Sequence, residues 1–211
     1  MRRLLRLLTA PLLTATLVLT GTPARADTDP ALATQWQLAW DTYRFYEHLT
    51  GPLPVDGRTA ATRDLSIDID APIDHVFAAY SDINHHIGLH PFLKRVATHA
   101  DYVQDGLRHV NFTAVEDVPV ADGVPVTVNT HAQQRIHAAD YFYETDTWTM
   151  PNVVTHHVIA FTDLGGGHTR VTEHLTFEAN VLLIDFTVTN GVSSHQQTQV
   201  ALKEAIESGR L

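Results

Sequence analysis

The sequence predicts a single α+β domain in which helices flank an antiparallel sheet. Residues 27 to 49 and about 182 to 208 carry apolar side chains at helical spacing. Between residues 65 and 177, several short segments alternate apolar and polar side chains, which is typical of half-buried strands. The turns between these segments recur at hairpin intervals, so we expect antiparallel pairing. The length of 211 residues fits one such domain.

The first 26 residues have the pattern of an export leader. Arg2, Arg3 and Arg6 form a positive head, and the following 17 residues carry no charge. That run is shorter than the roughly 20 apolar residues that a membrane-spanning helix needs. Ala24 and Ala26 are the small residues that a signal peptidase reads. We therefore expect a secretory signal peptide over residues 1–26, a secreted protein in the envelope or outside the cell, and no stable membrane anchor after cleavage.

The mature chain is strongly acidic and has no cysteine. Removing residues 1–26 takes away four Arg and no acid, so the net charge moves from −10 to about −14. Such a surface argues against nucleic acid as a partner and against charge-driven docking on anionic lipids, since both rely on clustered Lys and Arg. Because no disulfide can form, stability has to come from a packed core.

The predicted N-terminal helix carries an aromatic stripe. Leu32, Trp36, Trp40 and Tyr43 recur at helical spacing. We expect this stripe to lie on the neighbouring domain, with the binding of a separate partner as the alternative. Residues 52 to 63 contain two Pro and are predicted to form a loop.

The following segment predicts a strand and two short helices. Leu65, Ile67 and Ile69 alternate with polar residues, and a helix is expected to begin at Asp74. Residues 82 to 90 are predicted to form a second short helix. Further strands are expected after this point, and the turns between them are marked by Gly106, Asp122-Gly123, Ala139-Asp140, Pro151-Asn152 and the three Gly at 165 to 167.

The predicted strand over residues 125 to 137 has two faces of different character. Val126, Ala132 and Ile136 share the more apolar face, which we expect to point inward. His131 and Arg135 lie on the other face and are therefore expected to be solvated.

The C-terminal helix is predicted to bury a face that changes character along its length. Its last turns present an apolar stripe that includes Leu202 and Ile206. Nearer its start, the inner face is expected to contain Asn190, Ser193 and Gln197. A helix that is apolar at one end and mildly polar in the middle of its inner face indicates an interior wetter than an ordinary core.

Three segments connect the sequence to a known superfamily. Residues 65 to 84, LSIDIDAPIDHVFAAYSDIN, run from an alternating strand through Ala-Pro into a helix that contains Val-Phe and ends at Asp. Residues 90 to 93, HPFL, and the strand GHTRVTEHLTF at 167 to 177 follow. These segments resemble the START-like superfamily, which includes polyketide cyclases/dehydrases and Bet v 1-type proteins. The resemblance covers about residues 61 to 208, so residues 27–60 are expected to form an added helix and linker, and 61–211 the START-like domain.

The resemblance implies a helix-grip fold, in which a curved antiparallel sheet wraps around the long C-terminal helix. It also implies a cavity for a small apolar or amphipathic molecule, such as a lipid, an isoprenoid or a polyketide-like compound, and no cofactor. A concave apolar space between sheet and helix is where ligand sites tend to lie. The residues expected to line the site are Val110, Phe112, Phe177 and Phe186 on its walls, Glu173, Asn190 and Gln197 at a polar end, and His90 at the mouth.

Glu173 is the one candidate for catalysis. It shares a strand face with Val171, Leu175 and Phe177, which places a carboxylate among hydrophobic side chains. Burial there disfavours the charged form and suits a general acid or base. The alternative is that Glu173 serves structure, paired with a cation such as Arg135.

Histidine is unusually frequent, with 14 copies, all in the mature part. His86 and His90 are four residues apart, so a helix would present both on one side, as some zinc sites do. Gly88 and Pro91 weaken that helix, so we expect no metal and keep this pair as a weak candidate.

Three functions remain open from the sequence. The first is a secreted START-like protein that binds or carries a small apolar molecule without catalysis. The second is an enzyme of the cyclase/aromatase kind that uses Glu173 as general acid or base, although export argues against it. The third is a cell-envelope interaction module that uses the helix of Trp36 and Trp40.

Overall fold

The computed structural model describes residues 28 to 50, 57 to 121, 124 to 150 and 152 to 211. The expected leader and the turn at Asp122-Gly123 lie outside the described residues. The helices are α1 (Pro30–Thr50), α2 (Ile73–Ser81) and α3 (Ile184–Glu207), with short 3₁₀ helices at Ile83–His86 and Ala138–Asp140. The strands are β1 (Arg58–Ile69), β2 (Leu93–Gln104), β3 (Leu107–Ala121), β4 (Val124–His137), β5 (Phe142–Thr149), β6 (Val153–Gly165) and β7 (His168–Asn180).

The described strands form one antiparallel sheet in the order β1-β7-β6-β5-β4-β3-β2. Strands β2 to β7 are hairpin neighbours, whereas β1 pairs with the last strand, from Arg58 opposite Asn180 to Ile69 opposite Thr169. The helix α3 crosses the concave face and makes its close backbone contacts with β1 and β7. The α+β class and the curved sheet around a C-terminal helix are thus confirmed.

An apolar core fills one end of the space between the sheet and α3. Leu202 and Ile206 of α3 contact buried residues of α2 and of the sheet, among them Val76, Tyr80 and Val171. These residues lie where β1 ends and α2 begins. The opposite end of α3 meets only a smaller apolar cluster of Leu175, Phe177 and Val188.

The N-terminal helix covers the convex face of the sheet. Trp36 is 6% exposed and donates its Nε1–H to the carbonyl oxygen of Ala132 in β4 at 2.7 Å. Its ring stacks on Trp40 with centroids 5.4 Å apart. The stripe therefore lies on the domain, as expected from the sequence. A small cleft remains beside it, between these rings, His131 and Trp148.

Three local predictions were wrong. Residues 58 to 63 belong to β1 rather than to a loop, because they pair with the end of β7. The segment expected as a second short helix is a 3₁₀ turn over Ile83–His86. His131 is buried rather than solvated, since α1 covers the face of β4 on which it lies. No helix among the described residues is long and apolar enough to span a membrane.

Ion pairs join the convex face near the end of α1. His156 Nδ1 lies 2.8 Å from an oxygen of Asp146, and its Nε2 lies 3.6 Å from Glu178. Arg135 donates to Asp146 and to Glu144. Hydrogen bonds to Asp146 and Glu178 outweigh burial and raise the pKa of His156 to about 9.

We expect His156→Gln to remove a pH dependence of stability. The pKa of folded His156, about 9, lies above the ordinary 6.5, so its stabilisation is complete below pH 6.5 and is lost as pH rises through 9. Denaturant unfolding from pH 6 to 10 measures this, with His168→Gln, in an exposed pair with Asp70, as the control. Unchanged curvature in His156→Gln would contradict the assignment.

Trp36→Ala is expected to lower the free energy of unfolding by about 3–5 kcal/mol, because it empties a buried indole site and leaves the Ala132 carbonyl without its donor. Leu38→Ala lies on the same helix but is 69% exposed, so it should change stability by less than about 0.5 kcal/mol. Equal losses of unfolding free energy for the two variants, measured by urea denaturation, would show that Trp36 does not attach α1 to the sheet.

Candidate functional site

Glu173 lies in the middle of the concave face, where α3 passes over β7. It is 3% exposed and alternates with Val171 and Leu175, which are fully buried. Two side chains of α3 reach its carboxylate: His195 Nδ1 lies 2.6 Å from Oε2, and Gln199 Nε2 donates to Oε1 at 3.0 Å. The inward orientation is as predicted. Pairing with Arg135 is wrong, because Arg135 lies on the convex face with Glu144 and Asp146.

The surroundings of His195 favour its protonated form. Burial alone would lower its pKa, but the charge and hydrogen bond of Glu173, together with the charge of Glu116, outweigh burial and raise it. Because Nδ1 is held by Glu173, the imidazolium has its Nε2–H left for another partner. The His195 side chain as a whole is 20% exposed.

Two neutral histidines stand edge-on to His195. The ring centroid of His157 lies 4.7 Å away and that of His90 6.4 Å away, both near-perpendicular to it. Burial, followed by the charge of His195, lowers the pKa of His90 to about 3 and that of His157 well below 6.5. His90 Nδ1 accepts the backbone N–H groups of Phe92 and Leu93, which fixes it as an unprotonated nitrogen.

Glu116 of β3 is the second acid on the concave face. Its Oε2 accepts the hydroxyl of Thr130 at 2.6 Å, and its Oε1 lies 3.9 Å from His90 Nδ1. Burial raises its pKa, and the charge of His195 opposes that shift. We call Glu173, His195, Gln199, His157, His90 and Glu116 the interior polar cluster.

Threonine hydroxyls extend this polar surface over neighbouring strands. Thr149 donates to Thr130, and Thr147 bonds to Thr155. Six buried side-chain polar atoms have no hydrogen-bond partner among the described residues. Tyr80 Oη, Gln134 Oε1 and His157 Nε2 lie on the side of α3, and His99 Nδ1, His109 Nδ1 and His137 Nε2 lie on the convex face. Native proteins leave few such atoms unpaired, so the first three are candidates for contact with water or a ligand in the interior.

Exposed apolar side chains gather at one end of the sheet. This end is formed by the start of β1, β2, β4 and β6 and by the last residues of β3, β5 and β7. It is also the end at which α3 begins. We call the exposed apolar residues there the apolar rim: Ile87, Val120, Val124, Val126, Met150, Val181, Leu182 and Phe186.

No protein-family model and no curated protein sequence matches this chain. Solved structures, however, share its architecture. A START superfamily protein from Mycobacterium smegmatis aligns with a TM-score of 0.54 and 15% identity, over 70% of this chain and 97% of its own. The Zhui aromatase/cyclase from a Streptomyces species aligns with a TM-score of 0.52 and 14% identity, over 72% and 93%. Ara h 8.0201 aligns with a TM-score of 0.51 and 16% identity, over 71% and 99%.

The chain has the START-like, helix-grip fold. At these identities the likeness extends to the fold alone, so the chemistry of the interior follows from this chain's own residues.

The helix-grip fold brings some of the expected site residues together and separates others. Val110, Phe112, Glu173 and Phe177 are all buried on the concave face, and His90 borders the interior polar cluster. Phe186 is 40% exposed on the apolar rim.

The inner face predicted for the first part of α3 is wrong. Gln197 and Ser193 are exposed and bond each other, and Asn190 bonds the carbonyl of Phe186 on its own helix. The helix is rotated so that Ser194, Thr198 and Gln199 are buried instead.

His86 and His90 do not converge on a metal. His86 Nε2 bonds the carbonyl of Tyr80, whereas His90 faces Glu116 and His195. No group of three potential ligands suited to a metal ion occurs among the described residues.

The sequence reasoning missed His195, Gln199, His157 and Glu116. For α3 a signal was present: stepping back from the apolar stripe of Ile206 and Leu202 by three and four residues reaches Gln199 and His195. For His157 and Glu116, only the inward alternation along β6 and β3 could have pointed to them.

Glu173→Gln is expected to lower the pKa of His195, because it removes the charge that holds the proton there. Stability should fall by about 1.5–3 kcal/mol with the loss of a charged hydrogen bond. The loss should be largest below pH 6.5, since a raised histidine pKa stabilises the fold there and ceases to do so as pH rises through the folded value. NMR titration of the His195 ring nitrogens measures the shift, and Glu144→Gln on the convex face is the control. Identical His195 titration curves in the wild-type protein and in Glu173→Gln would contradict the pairing of His195 with Glu173.

Proposed function

We propose that this protein binds a small amphipathic molecule in the concave interior of its helix-grip fold. The observation that carries the proposal is the interior polar cluster together with three buried polar atoms that have no partner in the described chain. Leaving a buried polar group unpaired costs about 1–3 kcal/mol. A bound molecule with polar groups of its own would recover part of that free energy.

The position of α3 supports a space for such a molecule. Its close backbone contacts are with β1 and β7 rather than with β3, β4 and β5. The side chains on the concave side of these strands include the hydroxyls of Thr130, Thr147 and Thr155. His195 and Glu116, whose charges act on each other, keep 20% and 17% of their side-chain surface exposed.

The ligand we propose has an apolar part as well as a polar one. Val110 and Phe112 contribute apolar surface to the concave side of β3. The apolar rim lies at the end where α3 begins and offers a path on which an apolar group can enter. The polar centre argues against a long unbranched lipid tail, because burying hydrocarbon against unpaired polar atoms recovers nothing for them.

We further propose that the protein acts after export. The charged head, the uncharged run and the small residues before residue 27 support this localisation. The ligand would then be met in the envelope or outside the cell.

A second candidate function is acid–base catalysis on the bound molecule. The pairing of His195 with Glu173 at 2.6 Å favours it, because a carboxylate that orients one imidazole nitrogen leaves the other able to exchange a proton. The sequence also allowed an interaction module that uses the helix of Trp36 and Trp40. That function loses support because the ring of Trp36 packs against the sheet.

Native mass spectrometry of the protein recovered from the exported fraction is the first test, followed by solvent extraction. We expect a stoichiometric small molecule, and roughly 5- to 10-fold weaker retention in His157→Leu through the loss of one polar contact. His174→Leu, on the convex face of β7, is the matched control. An empty protein that takes up nothing from a library of lipids and aromatic compounds would refute the proposal. Release of a chemically altered library compound would favour catalysis.

A further inference from the structure

We propose that the interior recognises its ligand at two points, with His195 donating a hydrogen bond to a ligand oxygen and Glu116 accepting one from a ligand hydroxyl. The ligand class is a small neutral ring compound that carries both an oxygen acceptor and a hydroxyl donor. This inference rests on the proposed function and names the chemistry of the same site.

The first point is the free edge of His195. On the side of β7, the carboxylate of Glu173 bonds both Gln199 and His195 Nδ1. The Nε2 of His195 therefore remains for a ligand. The rings of His157 and His90 stand edge-on at 4.7 and 6.4 Å and form no hydrogen bond with it. A donor held at a fixed angle between two rings, with part of its surface open, suits an oxygen of a bound molecule.

The second point is Glu116, an acid without a cationic partner of its own. Within the described residues, no Lys or Arg lies within 4 Å of it, and its only direct donor is the hydroxyl of Thr130. His90 cannot neutralise it, because the nitrogen that faces it already accepts two backbone N–H groups. A carboxylate oxygen inside a protein calls for a donor, and a ligand hydroxyl can supply one.

The two recognition points lie close to each other. His90 lies beside both of them, with its Nδ1 3.9 Å from Glu116 and its ring 6.4 Å from His195. The charges of His195 and Glu116 also influence each other's proton affinity. A molecule that reaches both would replace this long-range attraction by two charged hydrogen bonds, each of which discriminates against an analogue without the matching group.

The charge balance of the surroundings favours a neutral ligand. The ionisable groups that interact with His195 are Glu173 from β7, Glu116 from β3, His157 from β6, and His86 and His90 from the segment before β2. A carboxylate ligand would meet both acids, and an ammonium ligand would meet the imidazolium. A hydroxyl and a carbonyl oxygen satisfy both points without adding a charge to a buried site.

The test uses three related probes on the mature protein: meta-hydroxyacetophenone, its methyl ether meta-methoxyacetophenone, and meta-ethylphenol. The first carries both groups, and each of the others lacks one. We expect the hydroxy ketone to bind at least about 10-fold more tightly than either analogue, as measured by ligand-observed NMR and calorimetry. Glu116→Gln keeps an acceptor oxygen but loses the charge, so it should weaken the preference for hydroxyl over methoxy and keep the preference for ketone over ethyl. His195→Gln should weaken the preference for ketone over ethyl and keep the preference for hydroxyl over methoxy, and Glu144→Gln should leave both preferences intact.

The pH dependence of the wild-type protein gives a second readout that needs no variant. Affinity for the hydroxy ketone should fall in alkali as His195 loses its proton and in acid as Glu116 gains one. Equal affinity for the three probes, or equal losses for all of them in Glu116→Gln, would overturn the two-point model. If none of the probes binds while native mass spectrometry reveals another ligand, this inference fails and ligand binding stands. If that experiment also finds an empty protein, the proposed function itself fails.

Discussion

The buried carboxylate of Glu173 determines how α3 sits on the sheet. A carboxylate that is 3% exposed needs donors, and both come from α3, one turn apart, at His195 and Gln199. These two bonds fix the rotation of the helix. Gly191, one turn before His195, allows α3 to approach β7 closely, since a Cβ at this position would lie 2.5 Å from the ring of Phe177. With its rotation set in this way, α3 lies over β1 and β7 and makes its close backbone contacts with these two strands of the sheet.

Both faces of the sheet carry polar side chains under a helix, and on both faces some of these side chains are paired while others keep a buried polar atom without a partner among the described residues. On the convex face, Thr113 bonds His131, Gln133 bonds Asn111, and Arg135 lies between two carboxylates. These groups form hydrogen bonds and ion pairs within the chain and support the packing of α1 on the sheet. On the concave face, Gln134, His157 and Tyr80 each keep a buried polar atom without a partner in the described chain. On the convex face, His99 Nδ1, His109 Nδ1 and His137 Nε2 are also without a partner among the described residues. The interior is the better place for a ligand because its unpaired atoms lie on the same face as the bonded pair of Glu173 and His195, which can exchange a proton with a bound molecule.

Local pattern was enough to predict the elements and one of the central residues. Helical spacing predicted α1 and α3, and the alternation along β7 placed Glu173 inside, because these signals depend only on neighbours in sequence. What remained hidden depends on distant pairing. The first part of β1 shows no alternation and exists because it pairs with β7 more than 100 residues later, as Arg58 does with Asn180. His131 is buried by a helix whose Trp36 bonds a residue 96 positions away.

The rotation of α3 was mispredicted for a related reason. Judged by hydrophobicity alone, Asn190 and Gln197 are as suited to an inner face as His195 and Gln199. Only the carboxylate of Glu173, on another element, distinguishes them, because it attracts donors and so turns a polar stripe inward. Polar interiors are therefore less predictable than apolar ones, since their geometry follows from specific pairs rather than from periodicity.

The charge state of the interior connects this geometry with selectivity. The chain is acidic, with a net charge of −10, yet burial keeps the imidazoles of His90 and His157 neutral. Among these three, only His195 has a raised pKa, because the two acids near it offset the burial of its charge. A further buried charge would find no such compensation and would cost several kcal/mol. An interior built in this way excludes ions more effectively than it excludes neutral molecules, and it distinguishes neutral molecules by the hydrogen bonds that they can complete.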